Sequence, residues 1–365
     1  MATLKALRQL IGVKMQNLFF KQFGKSVQTA TGGSTTTLVD TGILLQVDDF
    51  WNGHYVYFPA TQEVREVDDF DQGTSTITWL APLSAAIEAD DEYEIWAQVS
   101  PIEVNEAIVN ALRQGWPDFF ETSTEYVVVK SYDGEGYTLA DVLTYTPKWV
   151  AEVWLEGYTN SLTGTAESAT NNTMTDTGVF ATMDSSVDSW EIRIYQGTGA
   201  GQRRTVSSNT DDAVTVSVNW TTNPDTTSMY RAVKVSSPER MFHPFMQWEV
   251  DSYENPTELR LGSHLYGYEG HCLRVRYEYE YPEISAETDS TNAMTEYVIL
   301  AARLELYENL IASSSAVDVP EWEKMYGVLE RRLRQLIESH RFDHLDASMN
   351  NPNGYGYTRD PEYPF

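Results

Sequence analysis

Two stretches of the sequence repeat one another: Thr37-Leu-Val-Asp-Thr-Gly42 and Thr173-Met-Thr-Asp-Thr-Gly178. They lie 136 residues apart, and other matched segments keep an offset of 136 to 139 residues. These further matches are Trp51 with Trp190, Arg65–Val67 with Arg204–Val206, Thr76–Thr78 with Ala213–Thr215, and Tyr93 with Tyr230. A near-constant offset indicates an internal repeat. The chain is therefore predicted to contain one module twice, as module 1 (residues 29–98) and module 2 (residues 165–235).

Both copies are rich in threonine, valine and aromatic residues, with polar turns between short alternating runs. This composition is typical of β-strands. About 70 residues with five or six strands predict a small β-barrel or β-sandwich. Such a small module fills its core best with aromatic side chains. The predicted repeat core contains Trp51, Trp190, Tyr93 and Tyr230.

The rest of the chain mixes helical and strand patterns. Residues 272–281 alternate with period two, as in a strand, whereas residues 101–116, 294–312 and 318–342 have apolar residues at helical spacing. Residues 99–158 and 236–345 are predicted to form a central α+β body, and residues 346–365 an extended C-terminal tail. The predicted fold class is α+β, with both β modules inserted in the body and a C-terminal helical pair.

Charge and composition exclude several classes of function. The chain has 25 Lys and Arg against 54 Asp and Glu, a net charge of −29. Such a protein repels nucleic acid and anionic membrane. Its longest apolar stretches, such as residues 298–302, are far shorter than the roughly 20 residues that span a bilayer. A single cysteine, Cys272, excludes an internal disulfide framework and a cysteine zinc site.

The N-terminal segment is charged in the opposite sense. Residues 1–26 contain five basic residues and no acidic one, on a predicted amphipathic helix. The target of such a helix is either an acidic membrane surface or an acidic protein surface. The acidic remainder of the chain favours a protein, such as the acidic body of a neighbouring copy. The candidate docking residues are Leu4, Lys5, Leu7, Arg8, Ile11, Lys14 and Met15.

The C-terminal tail contains four aromatic residues but neither a helical nor a strand pattern. Exposed aromatic side chains are unfavourable in water. The tail is therefore predicted to lie on a neighbouring chain, through Tyr355, Tyr357, Tyr363 and Phe365.

Motifs for catalysis and cofactor binding are weak. The glycine run Gly197-x-Gly199-x-x-Gln202 lacks the third glycine of the dinucleotide fingerprint, and a hairpin turn is the favoured interpretation. His340 and His344 have helical metal-pair spacing, but a solvated helix end is favoured. Paired acids, such as Asp48-Asp49 and Asp211-Asp212, are expected in turns. We expect no catalytic residue, no metal and no cofactor.

Aromatic residues of the modules leave a second interpretation open. They either fill the module cores or stack on sugars. The residues concerned are Trp51, Tyr55, Tyr57, Trp79, Trp190, Tyr195 and Trp220.

Module 2 contains the segments Gly197-Thr-Gly-Ala-Gly-Gln-Arg203 and Asn223-Pro-Asp-Thr-Thr-Ser-Met-Tyr230. These resemble a β module that recurs in virion proteins of tailed phages. Module 1 has Pro59-Ala-Thr-Gln-Glu63 in place of the first segment and lacks the second, so its membership rests on the repeat. The N-terminal helix, the helix 104–112, the strand 273–277 and the closing helical pair resemble head-to-tail adaptor (neck or connector) proteins.

This resemblance implies a non-enzymatic structural protein of the virion, assembled in the host cytoplasm. It implies a ring of about twelve copies that links the portal protein to tail or nozzle proteins. In that ring, the candidate docking residues of the N-terminal helix would contact the portal protein or a neighbouring copy. DNA would pass through the acidic channel without specific binding, and no membrane partner is expected. The alternative is a capsid spike or tail-fibre protein whose β modules bind glycans, and a polysaccharide depolymerase is a third hypothesis.

Overall fold

The computed structural model describes residues 1–16, 28–130, 136–157, 161–183, 190–235, 241–245, 248–252, 255–261, 267–313 and 319–349. In the last helix, side chains are described up to residue 340. The helices are α1 (Leu4–Lys14), α2 (Pro101–Arg113), α3 (Leu139–Val142), α4 (Thr295–Ser313) and α5 (Val319–Met349).

The strands of the first third of the chain are β1 (Ala2–Thr3), β2 (Gln28–Thr29), β3 (Gly32–Gly33), β4 (Thr37–Val39), β5 (Tyr55–Phe58), β6 (Glu63–Glu66), β7 (Asp69–Asp71), β8 (Thr76–Thr78) and β9 (Glu92–Trp96). Those of the middle are β10 (Glu121–Val128), β11 (Tyr137–Thr138), β12 (Trp149–Glu156), β13 (Ser161–Thr165), β14 (Ser168–Ala169), β15 (Thr173–Thr175), β16 (Trp190–Gln196), β17 (Arg203–Asn209), β18 (Ala213–Val216) and β19 (Met229–Lys234). The last are β20 (Phe242–Pro244), β21 (Trp248–Val250), β22 (Glu258–Leu261), β23 (Cys272–Tyr279) and β24 (Ser290–Thr291). Helices and strands together confirm the α+β class.

The chain divides into two compact units. The first comprises residues 1–120 and 280–365, and the second comprises residues 121–279. Module 1 and helices α1, α2, α4 and α5 belong to the first unit. Module 2, helix α3 and strands β10 to β12 and β20 to β23 belong to the second.

The two modules have the same strand order. Module 2 forms one sheet in the order β13-β19-β16-β17-β18-β15-β14. Module 1 forms two four-stranded sheets, β2-β9-β5-β6 and β7-β8-β4-β3. Strands β6 and β7 follow each other along the chain and together occupy the place of the single strand β17. The shared order confirms the repeat that the sequence predicts.

One hydrogen bond recurs at equivalent positions of both modules. The Tyr93 hydroxyl donates to Asp40 Oδ2 at 2.7 Å, and the Tyr230 hydroxyl donates to Asp176 Oδ2 at 2.7 Å. Both tyrosines are fully buried. Burial, together with the hydrogen bond to the aspartate, raises the pKa of each phenol well above its usual value. The predicted match of Tyr93 with Tyr230 is confirmed.

The strand register corrects the predicted match of the tryptophans. Glu94 follows Tyr93 and pairs with Tyr57, and Arg231 follows Tyr230 and pairs with Arg193. Tyr57 and Arg193 are therefore equivalent positions. Three residues earlier, Trp190 therefore corresponds to His54 and not to Trp51. The predicted equivalence is wrong because the residues added in module 2 lie in the hairpin after this strand. Both tryptophans are nevertheless core residues, 1% and 3% exposed.

In the second unit, an antiparallel sheet in the order β10-β23-β12-β20 carries module 2. Strand β23 is its centre and pairs with β10 and β12 along most of its length. The alternating pattern predicted for this strand is observed, with buried residues at every second position. Module 2 is inserted between β12 and β20, and the Gly157 N–H donates to Met241 O at 2.7 Å where the chain leaves and returns.

Helices form the core of the first unit. Helix α2 starts with a capping box, in which the Ser100 side chain accepts from Ile102 N–H while Glu103 accepts from Ser100 N–H at 2.8 Å. Its buried face packs with α1 and α4, and α4 also packs against α5. Helix α5 continues to Met349, so residues 346–349, predicted as extended tail, are helical. No helix of the described segments is both long and apolar enough to cross a membrane.

Candidate module junctions and interaction surfaces

The N-terminal helix is part of the chain's own core. Helix α1 starts at Leu4, where the Thr3 side chain accepts from Ala6 N–H at 3.2 Å. Leu4, Leu7 and Ile11 are at most 1% exposed and lie in the apolar cluster that includes α2 and α4. This corrects the expectation that the three side chains dock on a partner, since the apolar stripe is already covered within the first unit.

The four remaining candidate docking residues have different surroundings. Lys5 Nζ pairs with Glu92 Oε2 at 2.6 Å at the surface. Met15 is partly buried against the helical core. Lys14 is exposed, whereas Arg8 is fully buried. Of the predicted set, Lys14 is the one that presents an exposed side chain.

Arg8 joins helix α1 to module 1 through two carboxylates. Its Nε and Nη2 donate to the two Glu94 oxygens at 3.2 and 3.1 Å, and Nη1 and Nη2 donate to the Glu287 oxygens at 2.5 and 2.8 Å. The guanidinium lies 4.5 Å above the Tyr57 ring, whose hydroxyl donates to Glu287 at 2.6 Å. Burial acts to lower the pKa of Arg8, but the two carboxylates outweigh it and raise the pKa. We call this group the module 1 junction.

A corresponding cluster fixes module 2 within the second unit. Arg193 is fully buried and makes a two-point contact with both Glu156 oxygens, while its Nε donates to Glu191 at 2.6 Å. The Cys272 N–H donates to the same Glu156 at 2.9 Å. Burial raises the pKa of the Cys272 thiol to about 12, so this cysteine is an inert core residue. We call this group the module 2 junction.

The two junctions lie at equivalent module positions that are occupied by different residue types. In module 1, Tyr57 and Glu94 are paired across β5 and β9. In module 2, the equivalent pair across β16 and β19 is Arg193 and Arg231. The arginine thus comes from outside module 1 in one junction and from inside module 2 in the other. A buried charge pair restricts orientation because its bidentate geometry tolerates little displacement.

The motif that carries the resemblance forms a local lock between two loops. Gln202 Oε1 accepts from the N–H groups of Thr221 and Thr222 at 2.7 and 3.2 Å. Asp225 accepts from Thr198 Oγ1 at 2.7 Å. Gly197 has φ +76°, and a Cβ there would lie 2.0 Å from a backbone oxygen. The motif therefore stabilises the hairpin and the loop that faces it.

Aromatic side chains of the modules fill the cores. Five of the seven that were considered for sugar stacking are at most 5% exposed: Trp51, Tyr57, Trp79, Trp190 and Trp220. Tyr55 and Tyr195 are partly exposed. The module-core interpretation is therefore confirmed for the four tryptophans, whereas Tyr57 is buried in the helical core beneath Arg8.

Acidic residues in turns bind backbone N–H groups, as predicted. Asp48 accepts from Gln72 N–H at 2.7 Å, Asp91 from Glu88 N–H at 2.8 Å and Asp212 from Gly178 N–H at 2.8 Å. Across the described segments, no group of three or more His, Cys, Asp or Glu residues is placed to hold a metal ion.

Histidines take structural positions where they are described. The His340 ring stacks on Phe119 at 4.7 Å between centroids. His271 is buried beside the module 2 junction, and burial lowers its pKa to about 4, so the ring is neutral at physiological pH. His264, the side chain of His344 and the predicted tail contacts Tyr355, Tyr357, Tyr363 and Phe365 lie outside the described residues.

Comparison with known proteins identifies no relative: no family model, no curated protein and no solved structure matches this chain.

Proposed function

We propose that this protein is a non-enzymatic structural protein of a tailed-phage virion, a ring-forming head-to-tail adaptor between the portal protein and the tail or nozzle proteins. The observation that carries the proposal is the duplicated β module, of which each copy is fixed within its own unit by a buried arginine–carboxylate junction. An adaptor needs rigidly oriented contact modules for different neighbours, and these junctions supply them.

The charge of the chain supports the same role. A net charge of −29 on a protein around a DNA channel repels the phosphate backbone, so that DNA slides without binding. Module 1 contributes much of this charge, since residues 29–98 contain thirteen acidic residues and one arginine. The N-terminal helix has no docking role in this proposal, because its apolar face is buried.

Glycan binding by a spike or fibre is the weaker alternative. Sugar sites on β modules depend on exposed aromatic faces. Four of the seven candidate aromatics are buried in module cores and Tyr57 is buried at the module 1 junction, so that only the partly exposed Tyr55 and Tyr195 remain. The burial of these side chains therefore favours an assembly role.

Native mass spectrometry of the purified chain tests the proposal. We expect a closed oligomer of about twelve copies, with a central channel in negative-stain images. An electrophoretic mobility assay at low salt is expected to detect no binding of double-stranded DNA, since the repulsion is largest there. A monomer or trimer that binds a bacterial surface polysaccharide would contradict the adaptor and support the spike.

A further inference from the structure

One loop of module 1 exposes apolar side chains. Leu45, Val47 and Phe50 are 62%, 67% and 42% exposed, within six residues of sequence. Three exposed apolar side chains so close together form a patch of the kind that marks contact sites on proteins. We call residues 45–50 of this loop the module 1 patch.

The patch is held rigidly by the residues around it. Asp40 accepts from the N–H groups of Gly42 and Ile43 at 2.8 and 3.2 Å, before the patch. Gln46 accepts from the buried Trp51 indole at 3.2 Å. Leu44 is fully buried. The apolar side chains therefore project from a fixed backbone, so that a partner would not need to order the loop.

The exposure of apolar side chains differs in the described part of the equivalent loop of module 2. The 136-residue offset places Met183 opposite Val47, and Met183 is only 7% exposed, whereas Phe180 is buried like its counterpart Leu44. The module can therefore bury apolar residues at this place. The exposure of Val47 therefore differs between the described parts of the two copies, which favours a contact made by module 1 at this place.

Acidic residues surround the patch. Asp48 and Asp49 lie within it and are exposed. The Asp49 N–H donates to Phe70 O at 3.1 Å, which brings the exposed Asp69 and Asp71 alongside. A partner for this surface has an apolar centre and basic residues at its edge.

Helix α5 presents such a surface in the first unit. Lys324, Val328 and Arg331 are spaced by four and three residues, so they share one face of the helix, and all three are exposed. Val328 is 44% exposed. This face points away from α4, because Met325 and Leu329 on the other side pack against that helix.

The two basic residues of this face have no acidic partner among the described residues. Arg332 and Arg334 of the same helix are paired, with Glu296 at 2.9 Å and Glu330 at 2.6 Å. Lys324 and Arg331 make no ion pair within the described part of the chain, and Arg331 Nε donates to Gly327 O. Their charges are therefore available to a second molecule.

We infer that the module 1 patch of one copy binds the α5 face of the next copy. Leu45, Val47 and Phe50 would pack around Val328, and Lys324 and Arg331 would meet the surrounding aspartates. The contact joins two different surfaces, and a heterologous contact of this kind closes into a ring when its rotation permits. The inference rests on the proposed adaptor function and assigns its subunit interface.

Disulfide trapping tests the contact directly. Val47→Cys and Val328→Cys are prepared as separate proteins, and then mixed and oxidised with copper phenanthroline. We expect a covalent dimer from the mixture, and no dimer from Leu80→Cys mixed with Val328→Cys. Leu80 is the matched control because it lies in module 1, outside the patch, and is 83% exposed. The native Cys272 is fully buried and adds no background.

Charge exchange provides the second measurement. Leu45→Lys with Val47→Lys, the patch variant, opposes two lysines to the basic face and is expected to stay monomeric with an unchanged far-ultraviolet circular dichroism spectrum. Lys324→Glu with Arg331→Glu, the helix variant, is expected to do the same. In a mixture of the two variants, the lysines of the patch variant face the glutamates of the helix variant. At the next contact, the native patch of the helix variant faces the native α5 face of the patch variant. We therefore expect the mixture to assemble.

The outcomes separate the contact from the function. If the wild-type protein forms a ring, no disulfide-linked dimer appears and both variants still assemble, the proposed contact is overturned and the adaptor proposal stands. Trapping in an open chain of copies supports the contact and overturns the ring. A monomeric wild-type protein without trapping overturns both.

Discussion

Replacing Arg193 by methionine tests whether the module 2 junction holds the second unit together. The substitution keeps much of the side-chain volume but leaves Glu156 as a buried carboxylate that retains the Cys272 N–H. Glu191, which is 11% exposed at its side chain, retains Arg203 at 3.2 Å. Removing one partner of a buried ion pair costs about 3–5 kcal/mol. We expect the free energy that holds module 2 on the sheet of the second unit to fall by about this amount.

Hydrogen exchange with mass spectrometry measures this loss on peptides from β16 and β23. A loss of about 3–5 kcal/mol corresponds to exchange that is roughly 10²- to 10⁴-fold faster, if both strands open together. The control is Arg260→Met in the same unit, where the pair with Glu258 is exposed and we expect no change.

The pH dependence identifies the cause of the loss. Without Arg193, burial raises the pKa of Glu156 in the folded state above its unfolded value of about 4.3. The folded state then binds more protons than the unfolded state, so the stability of the variant falls as pH rises. The deficit should therefore be largest at neutral pH and shrink on acidification.

A second substitution checks the assignment. Adding Glu156→Gln removes the stranded charge and keeps an oxygen for the Cys272 N–H, so most of the lost protection should return. Equal exchange rates in Arg193→Met, Arg260→Met and the wild-type protein would refute the reasoning, because the junction would then carry no measurable stability.

Three further predictions follow from the buried and hydrogen-bonded groups. Leu7→Asp places a charge in the helical core, so the melting transition of the first unit should fall steeply in circular dichroism, whereas Lys14→Asp at the surface should leave it unchanged; equal melting curves would argue against the observed burial. Tyr230→Phe removes the 2.7 Å bond to Asp176 and should cost about 1.5–3 kcal/mol in urea denaturation, and the raised pKa of this phenol means that ultraviolet titration should detect one fewer late-ionising tyrosine in the variant. The side-chain hydrogen bond from Thr257, with further N–H donors, lowers the pKa of Asp251 to about 2, so its contribution to stability should be complete above about pH 4 and disappear as pH falls towards 2; a carboxyl NMR titration with a midpoint near 4 would contradict this.

Local patterns in the sequence predicted the repeat and most elements. The matched segments around Asp40 and Asp176 predicted two copies of one module, and both copies have the same strand order. Alternation predicted β23, and apolar spacing predicted α1, α2, α4 and α5. These features are local because side-chain periodicity reflects the geometry of a single strand or helix.

The sequence pattern did not predict the residue-by-residue register between the two modules. The offset between copies suggested that Trp51 matches Trp190, but an offset does not locate the added residues, and cross-strand pairing is needed to assign His54 to that place. The sequence does not reveal this three-residue error, because Trp51 and His54 are both aromatic and the residues around them alternate similarly.

The sequence by itself determined the duplicated modules, the α+β class and the strong acidic charge, since each depends on composition or on neighbouring residues. Only the tertiary structure decided what covers each surface. The apolar face of α1, with the spacing of a docking helix, is buried by its own chain, and Arg8 meets Glu287 across 279 residues of sequence. The structure likewise left Val47 exposed while it buried Met183 at the equivalent place of module 2. Contacts between distant segments decide burial, and such contacts leave no periodic signal in either segment alone.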